Sequence, residues 1–272
     1  MLLNQIKLLR PLALPALALM IAGAVSAQTT PEIAPRQHAP MKFHGIRPDG
    51  STESTNWSGY AVTGTSFTEA IASWVVPSVN CSVTPNTYAA FWVGLDGYSS
   101  STVEQTGTDS DCSGKKPSYY AWYEFYPNPS IVISSVPVAP GDVMSAEVTY
   151  SGSEFTTKIT NTTTGKSYTK SSKVSGAKRS SAEWIAEAPC CTNSGGILPL
   201  SDFGTVSFGL DYTGVTDSNY ASDSTSGGLA PIGAFSTVES ITMINGSTNA
   251  DEAVPTALTA DGTSFQVTWK SK

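Results

Sequence analysis

The stretch Tyr119-Tyr-Ala-Trp-Tyr-Glu-Phe-Tyr126 decides the fold class, because it is dominated by aromatic residues, which favour β-strands. Side chains along a strand alternate between its two faces, so every second residue points the same way. One face of this strand therefore carries Tyr120, Trp122, Glu124 and Tyr126. A carboxylate among aromatic side chains predicts either a groove residue or a hydrogen-bonded structural acid.

Similar strand signals recur along the chain at short intervals, bounded by Gly, Pro, Asn or Asp. No long stretch has the period of a helix. Many short antiparallel strands joined by such turns predict an all-β sandwich or barrel. The predicted strands are Gly59–Val62, Ala70–Val76, Thr87–Leu95, Tyr119–Tyr126, Val143–Tyr150, Phe155–Asn161, Ala182–Glu187, Thr205–Leu210, Phe235–Ile244 and Ser264–Trp269.

A second segment with polar residues on a strand face is Ser181-Ala-Glu-Trp-Ile-Ala-Glu-Ala-Pro189. Its alternation places Glu183, Ile185 and Glu187 together. Two acids that flank an isoleucine are typical either of a solvated outer face or of a site that uses carboxylates. The segment alone does not distinguish these two interpretations.

A third segment brings a carboxamide close to an aromatic residue and an acid. Trp92 and Asp96 lie shortly before Gln105. The amide nitrogen of a glutamine donates hydrogen bonds and is suited to stabilise a developing oxyanion, as in acyl-transfer sites. An isolated strand glutamine is more often structural, so both interpretations stay open.

The composition is that of an acidic protein with few charges. The chain has 272 residues, a formal net charge of −7 and only 14% charged residues. Nucleic-acid binding is not expected, because phosphate recognition requires clustered Lys and Arg. A low charge density suits a protein that works in acid, where its carboxylates are neutral.

The N-terminus has the organisation of a secretory signal peptide. Lys7 and Arg10 precede an apolar run, Leu12–Val25, that ends in the small-residue motif Val25-Ser26-Ala27. The run is too short, and too interrupted by proline, to span about 30 Å of hydrocarbon. We predict cleavage after this motif, so that residues 1–27 are removed and the protein is secreted without a membrane anchor.

Residues 28–54 are interpreted as a basic pro-segment. They contain Arg36, Lys42 and Arg47, whereas the chain from Thr55 onward has ten basic and nineteen acidic residues. A basic peptide that precedes an acidic domain is suited to lie in an acidic groove and inhibit it. The alternative is an ordinary disordered linker.

Both histidines, His38 and His44, fall inside that pro-segment. Residues 55–272, predicted to form a single catalytic domain, therefore contain no imidazole. Ser-His-Asp triads, Cys-His dyads and His-ligated zinc all require one. If the chain is an enzyme, carboxylates and amides must transfer its protons, which implies an acidic working pH.

The four cysteines are Cys81, Cys112, Cys190 and Cys191. Export permits disulfides among them, and three pairings are formally possible. A bridge between Cys81 and Cys112 is preferred. The adjacent Cys190 and Cys191 then form either a strained vicinal link or two thiols.

Five motifs occur in order along more than half of the predicted domain: Thr55-Asn-Trp-Ser-Gly-Tyr-Ala-Val62, Trp92-Val-Gly-Leu-Asp-Gly97, Gln105-Thr-Gly107, Ala121-Trp-Tyr-Glu-Phe-Tyr-Pro127 and Ala182-Glu-Trp-Ile-Ala-Glu187. Together they resemble the eqolisins, the glutamic peptidases. The resemblance implies a β-sandwich of two antiparallel sheets of about seven strands each, a concanavalin-like jelly roll. It also implies acid-active cleavage of polypeptides without metal or cofactor.

The same resemblance implies a catalytic dyad of Gln105 and Glu187. Glu187 would take a proton from water, and Gln105 would stabilise the oxyanion. The residues interpreted as supporting acids or groove walls are Trp92, Asp96, Tyr120, Glu124 and Glu183. Tyr120 stands where fungal members commonly have aspartate, and the cysteine placement together with the leader indicates a bacterial relative. We expect a monomer.

Two other functions use the same residues. A glycoside hydrolase would use Glu124 and Glu187 as its paired acids, provided that their carboxyl groups lie about 5 to 9.5 Å apart. A secreted carbohydrate-binding module would use Trp92, Trp122 and Tyr126 as a stacking platform, and it would bind without turnover.

Overall fold

The computed structural model describes residues 32–190 and 196–271. The predicted signal peptide and Cys191 lie outside the described residues, so neither the cleavage site nor a vicinal disulfide is addressed by the structure. Within the described ranges, no helix has both the length and the apolar character that crossing a membrane requires.

Strands dominate the described chain, as the alternating pattern predicts. They are β1 Phe43–Ile46, β2 Thr52–Ser54, β3 Trp57–Thr63, β4 Glu69–Val75, β5 Ala90–Leu95, β6 Val103–Ser113, β7 Lys116–Tyr126, β8 Ile131–Val132, β9 Val143–Ser151, β10 Glu154–Asn161, β11 Lys166–Ser172, β12 Ser181–Glu187, β13 Thr205–Phe208, β14 Tyr220–Ser222, β15 Ala230–Pro231, β16 Val238–Ile244, β17 Asp251–Pro255 and β18 Phe265–Trp269. The helical elements among the described residues are α1, Leu210–Thr213, and a single 3-10 turn, Ile232–Ala234.

The main strands form two antiparallel layers. One layer runs β8, β7, β6, β5, β12, β3 and β16, and the other runs β11, β10, β9, β4, β13, β18 and β17. The prediction of an all-β sandwich with about seven strands a sheet is confirmed. The architecture differs in one detail from the two separate sheets that were predicted. β16 also pairs with β17, so hydrogen bonds join both layers into one continuous network.

Local sequence explains the tight connections. The hairpin between β9 and β10 turns on Gly152 and Ser153, which both have positive φ values, of 57° and 76°. Two successive residues with positive φ form the turn whose twist matches that of the flanking strands. The predicted turn at Asn161–Gly165 is also observed, where it joins β10 to β11.

The main core lies between the two layers. Phe91 and Trp184 project from the first layer, and Trp74, Phe208 and Phe265 project from the second; all five are fully buried. Each such side chain contributes about 1.5 to 3 kcal/mol by leaving water. The indole of Trp74 also donates to a threonine hydroxyl of β6, so the two layers are joined by a buried hydrogen bond.

The predicted disulfide between Cys81 and Cys112 is confirmed. It links the loop after β4 to the end of β6 across a sequence separation of 31 residues. A bridge that closes a loop of this size typically stabilises a domain by about 2 to 4 kcal/mol.

A second apolar cluster lies on the opposite face of the first layer. Its buried members are Trp57, Ala61, Ala90, Trp92, Val103, Trp122, Ile185 and Ile241. We call this surface the groove face. It is not open to solvent in this structure, because residues 33–42 lie across it.

Residues 33–42 are held by backbone hydrogen bonds rather than left as a loose linker. Ala34 donates to the carbonyl of Ser130, and Gln37 exchanges two hydrogen bonds with Cys190. Further along, Met41 donates to the carbonyl of Gly97. We call residues 33–42 the covering segment. The chain then continues through β1 into β2, which pairs in parallel with β16.

Candidate active site

Strand register brings the predicted dyad to one face. On neighbouring strands, Gln105 pairs with Gly94, and Gly94 pairs with Glu183, four residues before Glu187. Because side chains alternate with a period of two, Gln105, Glu183 and Glu187 all project onto the groove face. The two predicted dyad residues therefore lie on the same side of the sandwich.

Glu187 is fully buried at the end of β12. Its Oε2 accepts a hydrogen bond of 2.8 Å from the indole nitrogen of Trp92, while its Oε1 has no hydrogen-bond partner among the described residues. Burial raises the pKa of Glu187 well above its usual value, and the charge of His38 partly opposes that rise. Trp92, interpreted from the sequence as a groove wall, thus contacts the glutamate directly.

Gln105 places its amide nitrogen on a peptide carbonyl. Its Nε2 lies 2.7 Å from the carbonyl oxygen of His38 and 3.1 Å from Oε2 of Glu124. Glu124 sits directly opposite Gln105 on β7. Gly94, on the other side, leaves room for the glutamine, since a Cβ there would lie 3.2 Å from the Cβ of Gln105.

The most unexpected member of the site is His38, which is completely buried in the groove. Its ring stacks on Trp122, with centroids 3.6 Å apart and planes within 4°. Nδ1 lies 3.2 Å from Glu124, and Nε2 lies 3.0 Å from Asp109. Burial opposes the charge of His38, but the charge of Asp109 and the hydrogen bonds to Asp109 and Glu124 outweigh it and raise the pKa to about 10.

Polar groups on the other side of the site bind the backbone that follows His38. The indole nitrogen of Trp57 donates to the carbonyl of Ala39 at 3.1 Å. The amide of Asn56 donates to the carbonyl of Pro40 at 3.3 Å and accepts from the backbone nitrogen of Lys42 at 2.7 Å. This pattern recognises main-chain groups, so it does not depend on the side chains of the bound segment.

Asp109 is a site residue that sequence reasoning missed. Asp109 and Asp111 resemble a polar turn, but both lie within β6, where period two puts them on the groove face with Gln105. Tyr120, predicted as a supporting residue, donates from its hydroxyl to Oδ2 of Asp109 at 2.5 Å. Burial and the charge of Asp109 raise the pKa of Asp111 to about 8. Continuing the alternation of side chains beyond Gln105 along the whole of β6 would have placed Asp109 on the groove face.

Asp96 and Glu183 belong to a different cluster. The carboxylate of Asp96 accepts hydrogen bonds from the backbone nitrogens of Lys178, Arg179 and Ser180, which orders the loop before β12. Glu183 is fully buried, and its pKa is raised by burial and by the charges of Asp96 and Glu104. Of the predicted supporting residues, Trp92 and Glu124 contact the dyad directly. Tyr120 contacts Asp109, and Asp96 contacts the loop before β12.

This fold and this site define a β-sandwich of the eqolisin type, whose groove face carries a buried glutamate and a carboxamide bound to a peptide carbonyl. The family model described as the Peptidase A4 family matches residues 55–269. The chain belongs to that family, and the resemblance seen in the five motifs is confirmed.

Individual relatives agree with this assignment. The chain is 30% identical to aspergillopepsin-2 of Aspergillus niger over 178 residues and 31% identical to scytalidopepsin B of Scytalidium lignicola over 177 residues. These matches cover 57% and 63% of this chain, and only 62% and 66% of the length of the two relatives. A crystal structure of scytalido-glutamic peptidase with a transition state analog inhibitor matches with a TM-score of 0.64 and 26% identity, covering 79% of this chain and 98% of that one.

Proposed function

We propose that the protein is an exported, acid-active endopeptidase in which Glu187 and Gln105 form the catalytic pair. The observation that carries the proposal is the 2.7 Å hydrogen bond from the Gln105 amide to the carbonyl of His38. A peptide carbonyl already lies where an oxyanion would be stabilised, on the same face as a buried glutamate.

The mechanism follows from the chemistry of the two side chains. Ionised Glu187 takes a proton from a water molecule, which attacks the carbonyl carbon. Gln105 donates its amide hydrogen to the oxygen as negative charge develops. Glu187 then returns the proton to the leaving nitrogen, and the peptide bond breaks. Neither step requires an imidazole.

The hydrogen bond from Trp92 supports this role for Glu187. It holds Oε2 in place, and Oε1 is then the oxygen that accepts a proton. Burial under the covering segment favours the protonated glutamate, which is unable to act as a base. Removal of the segment lets water reach Glu187, which favours its ionised form, and an acidic optimum follows.

The covering segment acts in this proposal as an inhibitor. It occupies the carbonyl site of Gln105, stacks on Trp122 and satisfies the backbone-binding groups at Trp57 and Asn56. No substrate is able to reach the dyad while these contacts persist. The leader motif at residues 25–27 supports synthesis for export, where such latency protects the producing cell.

The carbohydrate alternatives have weaker support. The ring of Trp122 stacks on His38, a side chain of a polypeptide segment, and the indole nitrogen of Trp92 is bound to Glu187. The donors at Gln105, Asn56 and Trp57 bind peptide carbonyls rather than sugar hydroxyls. These contacts favour a peptide substrate.

The proposal is tested by digestion of an unfolded protein at about pH 3 to 4 in the presence of a chelator. Wild-type protein is expected to cleave it, and Glu187→Gln and Gln105→Ala are each expected to lose at least about a hundredfold in kcat. Glu154→Gln, at an exposed position on β10, is the matched control. Full activity in a folded dyad variant would remove that residue from the mechanism, and cleavage of a polysaccharide alone would refute the peptidase.

A further inference from the structure

The pocket around His38 is built from three side chains of two strands. Trp122 and Glu124 project from β7, and Asp109 projects from β6. All three are fully buried, and together they surround the imidazole on one flat side and at both nitrogens. We call these three residues the imidazole pocket.

We propose that the imidazole pocket is a substrate subsite that selects a planar cationic side chain, imidazolium above all, on the acyl side of the cleaved bond. This inference rests on the proposed function, because the position of the bond is defined by the proposed oxyanion donor. Since Gln105 binds the carbonyl of His38, the side chain of His38 is the one that precedes that bond.

The hydrogen-bond pattern specifies the charge of the bound group. Both ring nitrogens face a carboxylate oxygen, Nδ1 toward Glu124 and Nε2 toward Asp109. A neutral imidazole has one N–H group and donates to one of them only, whereas an imidazolium donates to both. The pocket is therefore complementary to the cation.

The shape of the pocket specifies a flat group. The ring planes of His38 and Trp122 lie within 4° of each other, which an aliphatic ammonium is unable to reproduce. A phenyl ring would stack equally well, but it would leave the oxygens of Glu124 and Asp109 without their charged donors, and such losses are costly in a buried site. Imidazolium satisfies both requirements.

Neighbouring residues hold the pocket walls in place. The hydroxyl of Tyr120 donates to the second oxygen of Asp109, which orients the first oxygen toward Nε2. Gly107 lies between Trp92 and Trp122, and a Cβ at this position would come within 2.5 Å of the Cβ of Trp92. A side chain at Gly107 would displace the indole of Trp122, against which the bound ring stacks.

The test compares peptides that differ only at the residue before the cleaved bond. Processed wild-type enzyme, freed of residues before its mature N-terminus, is assayed at about pH 4, where free imidazole is cationic. The residues compared are His, Phe, Asn and Lys. We expect kcat/KM for His to exceed that for Phe, Asn and Lys by at least about tenfold, since only the imidazolium stacks on Trp122 and donates from both ring nitrogens to the oxygens of Glu124 and Asp109.

A substitution in the pocket gives a second readout. Asp109→Asn is expected to reduce the His-to-Phe ratio of kcat/KM by about tenfold, whereas Asp211→Asn, at an exposed position of α1, leaves the ratio unchanged. The ratio is measured within one preparation, so partial loss of folded enzyme does not affect it. If the variant fails to fold, the comparison of peptides on wild-type enzyme still tests the subsite.

The outcomes separate this inference from the proposed function. Efficient cleavage that favours Phe over His, or a ratio that Asp109→Asn does not move, overturns the subsite and leaves the peptidase intact. Failure to cleave any peptide overturns the proposed function itself, and the subsite with it.

Discussion

Gln105 and Glu124 lie directly opposite each other on β6 and β7, and the carboxylate of Glu124 accepts a hydrogen bond of 3.1 Å from the amide of Gln105. An amide group has a donor end and an acceptor end, and this contact requires the nitrogen to face the groove. Glu124 therefore orients the donor that binds the carbonyl of His38.

Loss of the Glu124 carboxyl group is expected to lower turnover more than binding. In Glu124→Gln the new amide no longer fixes which end of Gln105 faces the substrate, so we expect kcat to fall by about tenfold or more on a peptide with Phe before the cleaved bond. Steady-state kinetics of the processed enzyme measure the effect, with Glu154→Gln as control. A change in KM alone would show that Glu124 contributes only to substrate binding.

His38 is expected to hold the covering segment in the groove. In His38→Ala the stacking on Trp122 and the contacts with Glu124 and Asp109, which hold the bond after residue 38 at the dyad, are lost, so we expect freshly purified precursor to show a longer lag before activity at pH 4. His44→Ala is the matched control, because His44 is exposed. An equal lag in both variants would contradict the assignment.

The stabilising contribution of His38 depends on pH with a definite sign. The pKa of His38 is raised from 6.5 to about 10, so its stabilising contribution is complete below pH 6.5 and is lost as the pH rises toward 10. We expect the difference in Tm between wild-type precursor and His38→Ala to be constant from pH 5 to 6 and to shrink above pH 8. Dye-monitored or calorimetric melting measures it, and a difference that grows with pH would refute the charged imidazole.

Since His38 stays charged in acid, its deprotonation does not release the covering segment, and we expect cleavage to end latency. The carbonyl of His38 is already bound by Gln105, so we expect acid-treated precursor to yield a chain that begins at Ala39. Mass spectrometry and N-terminal sequencing identify the product, and Glu187→Gln precursor, treated in parallel, should remain uncut at this bond. Processing directly to Thr55 without an Ala39 form would contradict this alignment.

Glu104 is expected to limit stability above neutral pH. It is buried beside Asp96, and burial followed by the charge of Asp96 raises its pKa to about 9. An acid with a raised pKa contributes stability that is present below pH 4.5 and lost as the pH rises through 9. We expect Glu104→Gln to raise Tm by about 5 to 10 °C at pH 8 and to leave it unchanged at pH 3. Glu154→Gln serves as the exposed control, and equal effects at both pH values would contradict the prediction.

Much of the site was predictable from local pattern. The alternation of side chains places Trp122 on the same face as Glu124, and the five motifs mark Gln105 and Glu187 although 82 positions separate them in the sequence. Cys81 and Cys112 were paired correctly as well. Asp109 was not predictable in this way, because the composition of its stretch resembles a turn while cross-strand pairing with β7 makes it a strand.

By itself, the sequence determined that the protein is all-β, that its groove face carries acids and a carboxamide, and that imidazole is confined to the N-terminal segment. These properties depend on residue type and on a period of two, both of which are local. The position of His38 between Glu124 and Asp109, with its carbonyl on Gln105, depends instead on long-range packing. That contact joins residues 67 to 86 positions apart, and it forms because a buried cation is stable only where folding brings carboxylates to it.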